Sequence, residues 1–297
     1  MAAAQSQSQK APTKTLVDTL RLERLEVNLF RGTTPEGRSG RIYGGQVIAQ
    51  SLLAAYETVE ERVCHSLHCY FIRPGDPRVP IVFEVDRSRD GGSFTTRRVI
   101  AVQHGQQIFN LAASFQAPEQ GFEHQAQMPD APSPEGLRDE WAEELERLKA
   151  AGEAEIDWMD KVRPIEIRNI EPRNDGVAPP KMDPYQRLWF RSRTPVGSEE
   201  RMHQVVMAYA SDMSLLGTAV RPHGVSWRTP GFQSASLDHA MWFHHPTNFE
   251  DWHLYVQDSP SASGGRGFNR GGIYRQDGVL VASVAQEGLM RMRKPKA

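Results

Sequence analysis

Ser234-Ala235-Ser236-Leu237-Asp238-His239-Ala240-Met241-Trp242-Phe243-His244-His245 is a strand-like run of aromatic and aliphatic residues that also carries a hydroxyl, a carboxylate and imidazoles. A weaker copy stands earlier, Ser66-Leu67-His68-Cys69-Tyr70-Phe71-Ile72-Arg73-Pro74. Working outward, each copy has the same neighbours. Before the first, Tyr43-Gly44-Gly45 introduces Gln46–Thr58, so rich in Ala, Leu and Val that a helix there must be buried on most of its circumference. Before the second, Arg201–Val220 repeats that composition, and Gln204-Val205-Val206 matches Gln46-Val47-Ile48.

After the first copy, which reads as the strand Cys64–Arg73, come the strand-like runs Ile81–Arg89, Phe94–His104 and Gln107–Gln116. They are separated by Pro74-Gly75-Asp76-Pro77, Asp90-Gly91-Gly92 and His104-Gly105. Trp252–Asp258, Phe268–Arg275 and Val279–Met290 answer them, with the Gly-rich Ser263–Gly267 where Asp90-Gly91-Gly92 stood. Ser66 to Gln116 and Ser236 to Gln286 span the same 50 positions. Shared order and spacing define an internal duplication. A buried helix followed by four strands with short turns predicts, in each half, an antiparallel sheet curled around that helix.

The rest of the chain fits around these halves. Residues 1–14 read as a flexible tail and 15–118 as the first half, opening with a helix over Leu16–Glu26 and a strand over Val27–Arg31. Residues 119–180 read as a linker with a charged helix, Pro134–Gly152, whose charges make a solvated face. The second half is 181–297, beginning with a strand at Arg187–Ser192.

Bulk composition excludes several classes. The chain has 39% hydrophobic and 24% charged residues, with 12 Phe and 6 Trp, enough apolar matter for a substantial core. A net charge of −2 offers no electrostatic case for a nucleic-acid partner. No apolar run approaches the roughly 18 residues of a membrane span. Cys64 and Cys69, the only cysteines, suit neither a disulfide framework nor a zinc site, which points to a reducing cytoplasm.

Chemistry shows where the halves differ. Only the second helix carries an acid in its apolar run, Ser211-Asp212-Met213. Burying a carboxylate is costly unless it is paired or hydrogen-bonded, and an isolated Asp could equally cap a helix or meet an arginine. Here Ser236 and Gln286 lie on strands expected to face that helix, and acceptor, hydroxyl and amide together can hold and polarise one water. No Gly-x-Ser-x-Gly, His-Glu-x-x-His or Walker-type motif is present. Strand alternation puts His244 and His245 on opposite faces, against a shared metal, and likewise sets His239 away from Ser236, against a Ser-Asp-His triad. Arg97, Arg98, Arg266 and Arg270 are weak candidates for phosphate contacts.

The residues resemble the type II acyl-CoA thioesterases, from about Leu16 to Arg291. In the first half the likeness is carried by Gly44-Gly45-Gln46-Val47, Tyr70-Phe71-Ile72-Arg73-Pro74-Gly75-Asp76, Arg89-Asp90-Gly91-Gly92-Ser93-Phe94 and Ala112-Ala113-Ser114-Phe115-Gln116. In the second it is carried by Tyr209-Ala210-Ser211-Asp212, the run Ser236–His244, Gln276–Ser283 and Gln286-Glu287-Gly288. The resemblance implies an α+β double hotdog, two tandem antiparallel sheets each wrapped around a central helix. It further implies hydrolysis of acyl-CoA to fatty acid and CoA without a cofactor or metal, and assembly as a homodimer or homotetramer. Position by position, the family's catalytic Asp, Ser or Thr, and Gln fall on Asp212, Ser236 and Gln286, and a histidine sometimes implicated falls on His65. The end Lys294-Pro295-Lys296-Ala297 is not a Ser-Lys-Leu-type signal, so the bacterial, cytoplasmic branch is expected over the peroxisomal one. Two rival readings are a hotdog enoyl-CoA hydratase or dehydratase, and a non-catalytic acyl-CoA binding module.

Overall fold

The computed structural model describes residues 15–35, 40–150 and 163–293; the tail at 1–14 and the far end of the charged helix lie outside them. A short helix α1 (Leu16–Leu20) leads into β1 (Glu23–Glu26) and β2 (Leu29–Gly32), then α2 (Gly44–Tyr56) and the strands β3 (Val63–Phe71), β4 (Ile81–Asp90), β5 (Phe94–Gln103) and β6 (Gln106–Gln116). After α3 (Glu140–Ala150) come β7 (Ile165–Asn169), β8 (Tyr185–Ser192), α4 (Glu200–Ser211) and α5 (Leu215–Val220). The chain closes with β9 (Phe232–Ser236), β10 (Asp238–Phe243), β11 (His253–Ser263), β12 (Arg266–Arg275) and β13 (Leu280–Met292).

The duplication is written in the strand order. From one edge the sheet runs β1-β2-β4-β5-β6-β3, and from there β10-β13-β12-β11-β8-β7, the same plan reversed, with β9 extending along β13. The seam is the antiparallel pair β3–β10, where Leu67 faces Met241 and Cys69 faces His239. The two expected sheets therefore fuse edge to edge into one, which leaves neither central edge exposed to stray pairing.

Inside the curl, α2 and α4 lie antiparallel. Tyr43 meets Tyr209 at one end, with ring centroids 5.0 Å apart, and Tyr56 meets Gln204 at the other. Almost all of α2 is buried, including Gln46 and Gln50, whose amides donate to the Thr33 carbonyl at 3.2 and 3.3 Å. An apolar helix can hold these amides because the chain after β2 supplies acceptors.

Several elements depart from expectation. The helix expected over Leu16–Glu26 stops at Leu20: a Thr15–Asp18 capping box starts it, but Arg21 is already extended and Glu23–Glu26 joins β2 as an exposed edge strand. The charged helix begins at Glu140, after a single 3-10 turn at Pro134–Gly136. Its face is not wholly solvated, because Glu144 is buried against Arg147 and Arg228. Ile165–Asn169, within the expected linker, pairs with β8. The helix expected over Arg201–Val220 breaks after Ser211, and the strand expected over Ser234–His245 is interrupted at Leu237. Both interruptions fall at the site.

Candidate active site

Asp212 closes α4. Its N–H reaches only the Ala210 carbonyl, and Met213 N–H turns back to Ala210 as well, so the α-helical ladder ends there. Ser211 contributes to the break, since its hydroxyl donates to the Ala208 carbonyl at 3.0 Å. The carbonyls this break frees are held by tyrosines: Tyr43 donates to Tyr209 O at 2.9 Å and Tyr255 to Ser211 O at 3.0 Å.

The carboxylate is thereby aimed at the other half of the molecule. Its surroundings include the backbone N–H of Gly45, in the first turn of α2, where aligned peptide dipoles favour negative charge. Gly44 allows the approach: a Cβ there would stand 2.7 Å from Asp212 Oδ2. From the second half, Gln286 Nε2 donates to Asp212 Oδ1 at 2.6 Å, and Ser236 Oγ lies 3.4 Å from the same oxygen. Gln286 is fully buried, and its Oε1 has no partner among the described residues, leaving an acceptor beside the acid. Burial pushes the Asp212 carboxyl up from 3.8 to about 6; Gln286, Gly45, Ser236 and the charge of Arg41 hold it down against that push. A carboxylate titrating near neutrality and flanked by an amide and a hydroxyl is equipped to take a proton from water.

The structure thus brings Asp212, Ser236 and Gln286 together, although they lie on a helix end and two different strands. It does not bring His65 to them. His65 Nε2 sits 2.8 Å from Ser114 Oγ, and its ring packs edge-on against Phe94. His239 corrects the alternation argument. The irregularity at Leu237, whose N–H and carbonyl bond to Glu287 and Phe71, flips the strand parity, so both Ser236 and His239 face inward. No Ser236–His239 pairing results: His239 Nε2 is 2.9 Å from Ser211 Oγ, behind the helix end, and burial lowers its pKa to about 3, so it stays neutral. Asp238 is structural, accepting from Glu287 N–H at 2.6 Å.

A cleft of about 550 Å³ opens onto Asp212 and Ser236. One wall is apolar, built from Ile42, Val47, Phe71, Ile108 and Phe109, and the opposite rim carries Arg41 and Trp227. The expected phosphate contacts lie elsewhere. Arg97 is buried against Asp90, Arg270 pairs with Asp258 and Arg266 with Glu287. Arg41, introduced by no recognisable motif, was invisible to sequence reasoning. Among the described residues, no group of three or more His, Cys, Asp or Glu could hold a metal ion, and no helix is long and apolar enough to cross a membrane.

At the equivalent place in the first half, where α2 ends beside β3, lies a smaller space of about 410 Å³ lined by Tyr56, Val59, Arg62, Val63 and Arg201. Tyr56 accepts there from Cys64 N–H at 2.8 Å and donates to Gln204 Oε1, while Gln204 Nε2 donates to Cys64 O at 3.1 Å. Where Gly44-Gly45 open α2, Glu199 and Glu200 open α4.

Fold and site together define a double hotdog with the Asp212 carboxylate at the head of a cleft. The family model described as acyl-CoA thioesterase matches residues 160–289, and that described as acyl-CoA thioesterase N-terminal domain matches 33–116. Acyl-coenzyme A thioesterase 8 of Homo sapiens is 42% identical over 283 residues, covering 92% of this chain and 88% of its own length. Acyl-CoA thioesterase 2 of Haemophilus influenzae is 37% identical, covering 93% and 96%. The crystal structure of the acyl-CoA thioesterase II TesB2 from Mycobacterium marinum superposes with a TM-score of 0.76 at 42% identity, covering 94% and 98%. The chain belongs to the acyl-CoA thioesterase family.

Proposed function

We propose that the protein hydrolyses fatty acyl-CoA to free fatty acid and CoA, with Asp212 as general base. The observation that carries this reading is the half-buried carboxylate near pKa 6, held by Gln286 at the head of the apolar cleft. In the proposed reaction Gln286 and Ser236 fix a water against Asp212. The water oxygen attacks the thioester carbon as its proton passes to Asp212, and the carbonyl becomes an oxyanion beside the first turn of α2. Collapse breaks the C–S bond, and the leaving thiolate takes the proton back from Asp212. The apolar wall would receive the acyl chain.

A hydratase or dehydratase would need an acid–base partner for Asp212. His239 is neutral, buried and bonded to Ser211, and His203, on the first turn of α4, is bonded to Gly197 O and Phe249 N–H. A binding module would gain nothing from an acid whose ionisation is disfavoured by burial. The deciding experiment measures thiol release across a chain-length series of acyl-CoA substrates, alongside loss of enoyl absorbance from an enoyl-CoA. Rapid thiol release is expected; enoyl turnover without it would favour the hydratase, and tight binding without either would favour the module.

A further inference from the structure

Across Trp227 from the cleft lies a shallow basin of about 520 Å³, and the two share Arg41, Trp227 and Ser234. Trp227 is 57% exposed, and its ring is stacked on Phe232, with centroids 5.7 Å apart and planes 27° apart. An indole fixed flat against a second aromatic while open to solvent is a platform for another planar ring. Arg41 and Arg293 flank it. Arg41 Nη2 donates to the Ser234 carbonyl at 3.3 Å and Arg293 Nε to Gln233 Oε1 at 2.9 Å; neither meets a carboxylate among the described residues. Some exposed arginines elsewhere, such as Arg31, Arg138, Arg266 and Arg270, are paired with acids, while Arg87 meets Asn28 Oδ1, so what sets the basin apart is the aromatic stack between two such arginines. The basin therefore combines a stacking surface with two guanidinium groups that form no direct ion pair among the described residues. Strand β9 joins the two sites, since Ser234 in the basin is two residues, about 7 Å, from Ser236 beside the acid.

We propose that this basin binds the nucleotide end of the substrate, a purine carrying phosphates. The base lies on Trp227, the phosphates meet Arg41 and Arg293, and the arm follows β9 into the cleft toward Asp212. The inference rests on the acyl-CoA reading and adds where the coenzyme is recognised.

The test compares kcat/KM for an acyl-CoA with that for the same acyl group on pantetheine, which keeps the thioester and the arm but lacks the nucleotide. The ratio of the two is expected to fall about tenfold in Trp227→Ala, the scale of one base stacked on one aromatic ring. It is expected to fall severalfold in Arg293→Gln, with the charge effect shrinking as salt is raised. A ratio equal to that of the wild type in both variants, or equal losses on both substrates, would overturn the proposal. Calorimetric titration of the wild-type protein with adenosine 3′,5′-bisphosphate gives a second readout. Saturable binding, weakened at least tenfold by Trp227→Ala, is expected, and its absence would count against the basin. If the wild-type protein releases thiol from neither thioester, it is the acyl-CoA reading that fails, and the nucleotide titration still decides the basin.

Discussion

Asp212, the proposed general base, also bears on stability. Its folded-state pKa, about 6, lies above the ordinary 3.8, so the folded protein holds that proton more tightly than the unfolded chain does. Stability from this group is therefore present below pH 4, is lost as pH rises from about 4 to 6, and stays lost above. At 1.36 kcal/mol per unit, the ionised carboxylate costs the fold about 3 kcal/mol at pH 8. Asp212→Asn keeps an acceptor for Gln286 and removes the charge. It is expected to raise Tm by a few degrees at pH 8 and hardly at all at pH 4, while lowering kcat by about 10²–10³-fold. Calorimetry at the two pH values and a thiol-release assay check both halves of that expectation; a lower Tm at pH 8 would contradict the linkage. On the proposed mechanism, wild-type kcat/KM falls below about pH 6 as Asp212 takes up its proton. Ser236→Thr, which keeps the hydroxyl, should stay within a few fold of wild type, whereas Ser236→Ala should lose about tenfold or more in the same assay.

At the scale of elements, the site depends on two interruptions and one close approach. A Cβ on Gly45 would lie 2.3 Å from the Tyr209 carbonyl, a backbone atom that cannot yield without moving α4. Gly45→Ala is thus expected to lower Tm by several degrees. Gly44→Ala instead meets the Asp212 carboxylate and the Phe71 ring, which can swing, so turnover should fall by tenfold or more with a smaller loss in Tm. Thermal melts and kcat measured on the pair separate the two. Much of this scale was legible in the sequence. The limits of α2 and of β3 to β6 follow from composition and turn residues, and the difference between the halves points to Asp212, with Ser236 and Gln286 on strands expected to face it. The kink at Leu237 was not legible, because a parity flip arises from pairing with Glu287 and Phe71, distant in sequence. The break after Ser211 was hidden for a similar reason: the carboxylate leaves the helix line for partners on α2 and β13. Strand β7 escaped notice because its short Ile-Glu-Ile-Arg-Asn run draws its order from β8 and from Arg168 and Arg191 bonding Glu166.

Over the whole molecule, the seam between β3 and β10 and the antiparallel packing of α2 on α4 leave no layer belonging to one half alone. Unfolding is expected as one cooperative transition, with calorimetric and van't Hoff enthalpies equal. Met241→Ala, at a fully buried position facing Leu67 across the seam, should cost about 2–5 kcal/mol and move that single transition without splitting it. Two separate melting steps in scanning calorimetry would show the halves to be independent. The hydrogen bonds among Tyr56, Cys64 and Gln204, where the second half has its acid, have a counting consequence. A chain built twice carries the Asp212–Ser236–Gln286 arrangement once among the described residues, so an unhydrolysable acyl-CoA analogue should saturate at one equivalent per chain, whatever number of chains assemble.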